Sequence, residues 1–188
     1  QSLALQSTLR RFLHFQTRIC DGFPKAIGGA MIELLILYSL SKRARTLYSL
    51  RADIHEKFGY FTRPSLGTIH PALKRLKMGN IVTVRETYSG GGKKSSYYGV
   101  AASWQKHFRE LFFTPLSENP TLFFTEIQTK TAVLSVLEKE DREAFLKELI
   151  LKLETFNLDL KNTLEDEYIE LDGFQKMLLQ KNIEDAEH

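Results

Sequence analysis

Apolar and polar positions along this chain change period several times, and each change marks an element. From Ile27 to Leu40 the apolar residues Ile32, Leu35, Ile36 and Leu40 recur at helical spacing. Thr46 is placed to cap a second helix with Leu47, Leu50 and Ile54 inward, running to Phe58 and stopped by Gly59. A third helix is expected from Ser65, whose hydroxyl can take an amide hydrogen of the first turn. Ile69, Ala72, Leu73 and Leu76 form its inner face, while Gly67, Pro71, Lys74 and Met78 lie opposite, flanked by His70 and Arg75. Pro71 removes the bond to the Gly67 carbonyl, at about 3 kcal/mol in an ordinary helix interior, so the first turn is expected to be kinked or irregular.

At Gly79-Asn80 the chain must leave the helix, and both residue types tolerate the left-handed backbone of such exits. The period then drops to two: Val82 and Val84 point one way, Thr83 and Arg85 the other. A glycine-rich tip, Ser89 to Ser95, carries Lys93 and Lys94 and leads to a returning strand at Ser96 to Val100. Ala101 to Phe113 reads as a helix with Trp104, Phe108, Leu111 and Phe112 on one side. Trp104 is expected in the core.

The segments outside this stretch differ in character. Residues 1–20 suit an amphipathic helix, with Leu5, Leu9, Phe12, Leu13 and Ile19 close to one face and Arg10, Arg11 and Arg18 elsewhere. Either it packs on its own domain or a second subunit, or its arginines reach a phosphate backbone. Thr114 to Pro120 is a boundary, and three helices should follow: Thr121 to Leu137, Asp141 to about Glu165, and Glu167 to about Ile183. In the second, Phe145, Leu149, Leu153, Phe156, Leu160 and Leu164 repeat at intervals of three and four, widened by Leu146 and Ile150. A stripe that wide needs a cover, which a second copy of the chain or a fold-back onto the same subunit could supply. Three regions result: an N-terminal helical extension (1–26), a helix-rich domain with one hairpin (27–113), and a C-terminal helical dimerisation region (114–188).

Charge sharpens the picture. The net charge of +3 over 188 residues conceals a division. Residues 41–110 hold 14 basic against 4 acidic side chains, and residues 111–188 hold 8 against 17. Such segregation points to a polyanion-binding surface on the middle segment. Around its third helix, Ser65, Gly67, Thr68, His70, Lys74 and Arg75 are candidates for contact with DNA, with Arg63 at the border and Lys93 and Lys94 at the hairpin tip. Lys42, Arg43 and Arg45 are further candidates for phosphate; the plainer reading of each is a solvated cation.

Several chemistries find no support. Cys20 is the single cysteine, so no disulfide can form within the chain. The five histidines are not in metal-ligand spacing, Gly90 to Lys94 lacks the spacing of a phosphate-binding loop, and no nucleophile stands beside a base. We therefore expect no enzyme, metal or cofactor. The longest apolar run, Ala30 to Leu40, contains Glu33 and is short of the roughly 20 residues of a membrane span. A reducing cytoplasm without membrane contact is the expected setting.

One run is specific enough to carry a resemblance. Pro64-Ser65-x-Gly67-Thr68-Ile69-x-Pro71-Ala72-Leu73-x-Arg75-Leu76, with Tyr97-Tyr98 later, resembles the PadR family of bacterial transcriptional regulators. Tyr48 and Leu50 match the family's Tyr-x-Leu, whereas Thr46-Leu47 stands where His-Gly is common and His70 where tyrosine is usual. The resemblance implies a mainly α fold with a small β-hairpin wing: a winged helix-turn-helix domain followed by C-terminal helices that form a homodimer through Phe145, Leu149, Leu153, Phe156 and Leu160. It also implies double-stranded DNA as partner, an inverted-repeat operator, and repression relieved by a small-molecule effector. The rival readings are a winged-helix module gripping an acidic protein and a plasmid replication or partition factor on repeated sites.

Overall fold

The structure is a computed structural model that describes residues 28–88, 92, 94–117 and 119–187. The expected N-terminal helix lies outside these residues. The chain divides into two compact units, residues 23–137 and a second containing residues 138–188.

In the first unit, helix α1 (Gly29–Lys42) is central. It packs against α2 (Leu47–Phe58), α3 (Leu66–Met78), α4 (Trp104–Phe112), α5 (Pro120–Ala132) and the second strand of the hairpin. Because neighbours surround it, α1 buries Met31, Leu34 and Leu37 as well as the expected Ile32, Leu35, Ile36 and Leu40. Thr46 caps α2 by accepting from the Ser49 amide at 3.2 Å. Leu50 and Ile54 are fully buried, and Leu47 only half so.

Two strands, β1 (Val82–Tyr88) and β2 (Lys94–Val100), form an antiparallel hairpin in which Val82 pairs with Val100 and Tyr88 with Lys94. The second strand therefore begins two residues earlier than the sequence suggested. Arg45 adds a third rung. Its amide donates to the Tyr98 carbonyl at 2.9 Å, and its carbonyl accepts from the Tyr98 amide at 2.7 Å. Helices with one two-stranded hairpin in this order make a winged helix-turn-helix domain, followed by helices, as the pattern predicted.

The compact unit extends past the boundary expected at Thr114. Thr114 is tied to α5 by the Lys130 ammonium, which donates to its carbonyl, and the Ser117 amide donates to Glu126 Oε2 at 2.8 Å. Asn119 caps α5 with Pro120 in the first helical position, where its missing N–H costs nothing. This helix stops at Ala132, and a short 3-10 turn, Leu134–Val136, follows.

The second unit contains α6 (Lys139–Glu165) packed against α7 (Gly173–Glu187). The last helix begins six residues later than expected, because Asp172 and Gln175 form a reciprocal cap. Asp172 Oδ1 accepts from the amides of Phe174 and Gln175, and Gln175 Oε1 accepts from the Asp172 amide.

Candidate nucleic-acid interface

Helix α3 is built to be buried on one side and open on the other. Ser65 starts it by accepting from the Thr68 amide at 3.3 Å, and the Ser65 and Thr68 hydroxyls lie 3.1 Å apart. The Ser65 carbonyl accepts from both Thr68 (3.1 Å) and Ile69 (3.0 Å), which tightens the first turn. The helix then runs unbroken through Pro71. Ile69, Ala72, Leu73 and Leu76 are buried, while Gly67, His70, Pro71, Lys74, Lys77 and Met78 are exposed.

The α3 sequence has no carboxylate. Among the described residues Lys74 and Lys77 form no ion pair. Gly67 has open space outward, the nearest atom to an added Cβ being Ser65 Oγ at 3.4 Å. The helix leads directly into the hairpin. Gly79 donates to the Arg75 carbonyl, Asn80 takes φ 56°, and the Ile81 amide donates to the Leu76 carbonyl at 2.9 Å. With the Asn80 amide donating to the Lys77 carbonyl at 3.0 Å, three successive backbone bonds fix the start of β1 to the end of α3.

Several expected contacts have other partners. Arg75 does not project freely: its Nε donates to Glu33 Oε1 of α1 at 2.8 Å, and its Nη2 lies 2.7 Å from the same oxygen. Lys94 is not at a free tip, because it sits in β2 opposite Tyr88 with its ammonium 2.8 Å from Glu86 Oε1. Lys93 lies outside the described residues. Arg45 is buried and paired with Asp53, which also takes Lys57, so Arg45 supports the hairpin instead of facing solvent. Lys42 hangs 5.2 Å over the Tyr38 ring. Arg63 is exposed, its Nε donating to the Gly59 carbonyl at 3.0 Å, while Arg43 is exposed on the link. Trp104 is half-buried, edge-on to Phe108 at 5.9 Å.

Two cations escaped the sequence reading, Lys77 on α3 and Arg85 on the hairpin. Arg85 is exposed on β1 directly across from Tyr97, with Thr83 and Thr87 on the same strand face. With Ala44 and Gly99 they line an open groove of about 580 Å³. The period-two alternation already placed Arg85 on this face; what it lacked was the register that brings Tyr97 opposite.

A helix whose only charged outer residues are cations, joined without slack to a hairpin, makes up a winged-helix domain. Residues 36–110 match the transcriptional regulator PadR-like family. No curated protein matches the chain. Among solved structures it is similar to Bacillus subtilis PadR in complex with operator DNA, with 20% identity over 82% of this chain and 90% of that one and a TM-score of 0.42. A PadR-like transcriptional regulator from Bacillus cereus is 25% identical over 42% of this chain and 75% of that one, with a TM-score of 0.36. The circadian clock associated protein Pex from Anabaena is 20% identical over 48% and 80%, with a TM-score of 0.40. Among the described residues no helix is long and apolar enough to cross a membrane, and no cluster of three or more His, Cys, Asp or Glu could hold a metal ion.

Proposed function

We propose that this chain is a sequence-specific double-stranded-DNA-binding repressor that acts as a homodimer on an inverted-repeat operator. The observation that carries the reading is the outer face of α3: thirteen helical residues without a carboxylate, presenting His70, Lys74 and Lys77 to solvent. Laid in a major groove, that face meets base edges and phosphates. The amides of its first turn, with the Ser65 and Thr68 hydroxyls, approach the backbone, and Gly67 allows close contact. Arg85 and the wing supply phosphate contacts in the adjacent groove, with Lys93 at the tip and Arg63 at the border.

Two copies would read half-sites about one helical turn apart. For the dimer contact we propose the C-terminal helices, through apolar residues that one chain leaves open, such as Leu151 and Leu158. Repression relieved by a small molecule is supported by the family resemblance.

The test is binding of the full chain to a labelled duplex from its own upstream DNA across a range of salt concentrations. Phosphate contacts release counterions, so affinity should fall linearly on a log–log plot, with preference over random duplex. Changing Lys74, Lys77 and Arg85 together to alanine should flatten the slope by about one for each phosphate that is no longer neutralised. Binding indifferent to salt and to sequence would remove the proposal.

A further inference from the structure

Glu33 is the only carboxylate on α1, and it is nearly enclosed, at 8% exposure, in a helix whose other buried side chains are apolar except Ser39. Two nitrogens of Arg75 converge on its Oε1, at 2.8 and 2.7 Å. Its Oε2 faces His107 Nε2 of α4 at 3.9 Å, too long for a hydrogen bond. One turn before Glu33 stands Gly29, where an added Cβ would come within 3.4 Å of Arg75 Nη2, so the glycine leaves room for the guanidinium.

Arg75 itself keeps 55% of its side-chain surface exposed, and the buried side chains of α3 are Ile69, Ala72, Leu73 and Leu76, all apolar. Apolar burial is non-directional: it sets how deeply a helix sits but resists rolling or sliding weakly. Charge-assisted hydrogen bonds are directional and define an angle. The Glu33–Arg75 pair supplies such a directional contact between α1 and α3, the helix from which His70, Lys74 and Lys77 project.

We infer that Glu33 is a positioning residue for DNA recognition, acting through Arg75 to orient α3 without touching the nucleic acid. The inference rests on the DNA-binding reading above and assigns Arg75, the arginine of the recognition helix, to the protein side of the contact.

The experiment compares wild type, Glu33→Gln, Arg75→Gln and the double variant as full chains. Affinity for the upstream duplex and for random duplex is measured against salt, at a temperature where circular dichroism shows each variant folded. Each single change is expected to weaken upstream binding by roughly fivefold or more, the double change no further than the worse single one, because the two residues act as one unit. The salt slope should stay at the wild-type value. Arg75→Lys, which replaces the two-nitrogen grip with a point charge, should lose part of the affinity with the same slope, and it serves if either glutamine variant is unfolded.

The inference is overturned if Arg75→Gln lowers the slope by about one while Glu33→Gln leaves or raises affinity, since Arg75 would then be a phosphate contact. Additive losses overturn it too. A wild-type chain that shows neither salt dependence nor sequence preference removes the functional reading, and this inference with it.

Discussion

Arg45 belongs to a short basic link, Lys42-Arg43-Ala44-Arg45, in which nothing local separates one cation from the next. The fold separates them: Arg45 is buried against Asp53, and its backbone pairs with Tyr98 of the wing, whereas Arg43 stays in solvent. Its partner is eight residues away, on the inner side of α2. A buried pair that loses one member leaves an uncompensated charge, so Asp53→Ala should destabilise the folded chain by about 3 kcal/mol or more. Urea denaturation would measure this, and Arg45→Met combined with Asp53→Leu should cost less than Asp53→Ala alone. Asn80 gives the contrasting case. Its left-handed backbone, φ 56°, was foreseeable because the requirement is local, a helix exit leading into a strand. Asn80→Val should therefore cost about 1–2 kcal/mol in the same assay, and Asn80→Gly close to nothing.

At the scale of elements, what could be read from the sequence divides along the same line. Helix starts and stops were legible wherever a side chain near in sequence satisfies the backbone, as with Thr46 on Ser49 and Ser65 on Thr68. The late start of α7 was also encoded, in the reciprocal Asp172 and Gln175 pairing, but the apolar pattern upstream masked it. The partners of outward cations were not legible. Arg75 meets Glu33 across 42 positions, and Lys94 meets Glu86 only once the hairpin register is known. Periodicity says which face a residue occupies, not what waits there. Helix α3 adds its own prediction. Pro71 is exposed and forfeits one backbone bond in a helix that stays continuous. Pro71→Ala should restore that bond and outweigh the entropy returned to the unfolded chain, raising stability by about 2 kcal/mol. Thermal denaturation would register it as a higher midpoint.

For the whole molecule, the division of charge and the division into units coincide closely: the basic excess lies within residues 23–137, and the second unit contains much of the acidic segment. A DNA-binding head benefits from an acidic remainder, which offers no second polyanion surface to compete for the duplex. The proposed dimer contact follows from what α6 and α7 leave uncovered. Phe145 and Leu149 are already buried within one chain, so they are not available to a second copy in the way the apolar repeat suggested. Leu153, Phe156 and Leu160 are half-buried. Leu151 and Leu158, seven residues apart and so on one helical face, are 64% and 57% exposed. On α7, Phe174, Met177 and Leu178 repeat the pattern at spacings of three and four and are likewise open.

These two sets of residues should respond differently to substitution. Phe145→Ala removes core volume and should cost about 3–5 kcal/mol of stability at any protein concentration. Leu151→Glu with Leu158→Glu removes apolar surface that the single chain leaves in water, so the fold should persist while a dimer, if these residues hold it, dissociates. Sedimentation velocity over a range of concentrations distinguishes the cases. A wild-type dimer that becomes a folded monomer supports the C-terminal contact, and a double variant that remains dimeric places the contact elsewhere. Loss of the dimer should also weaken DNA binding steeply, because one head then holds one half-site without the effective concentration its twin supplied.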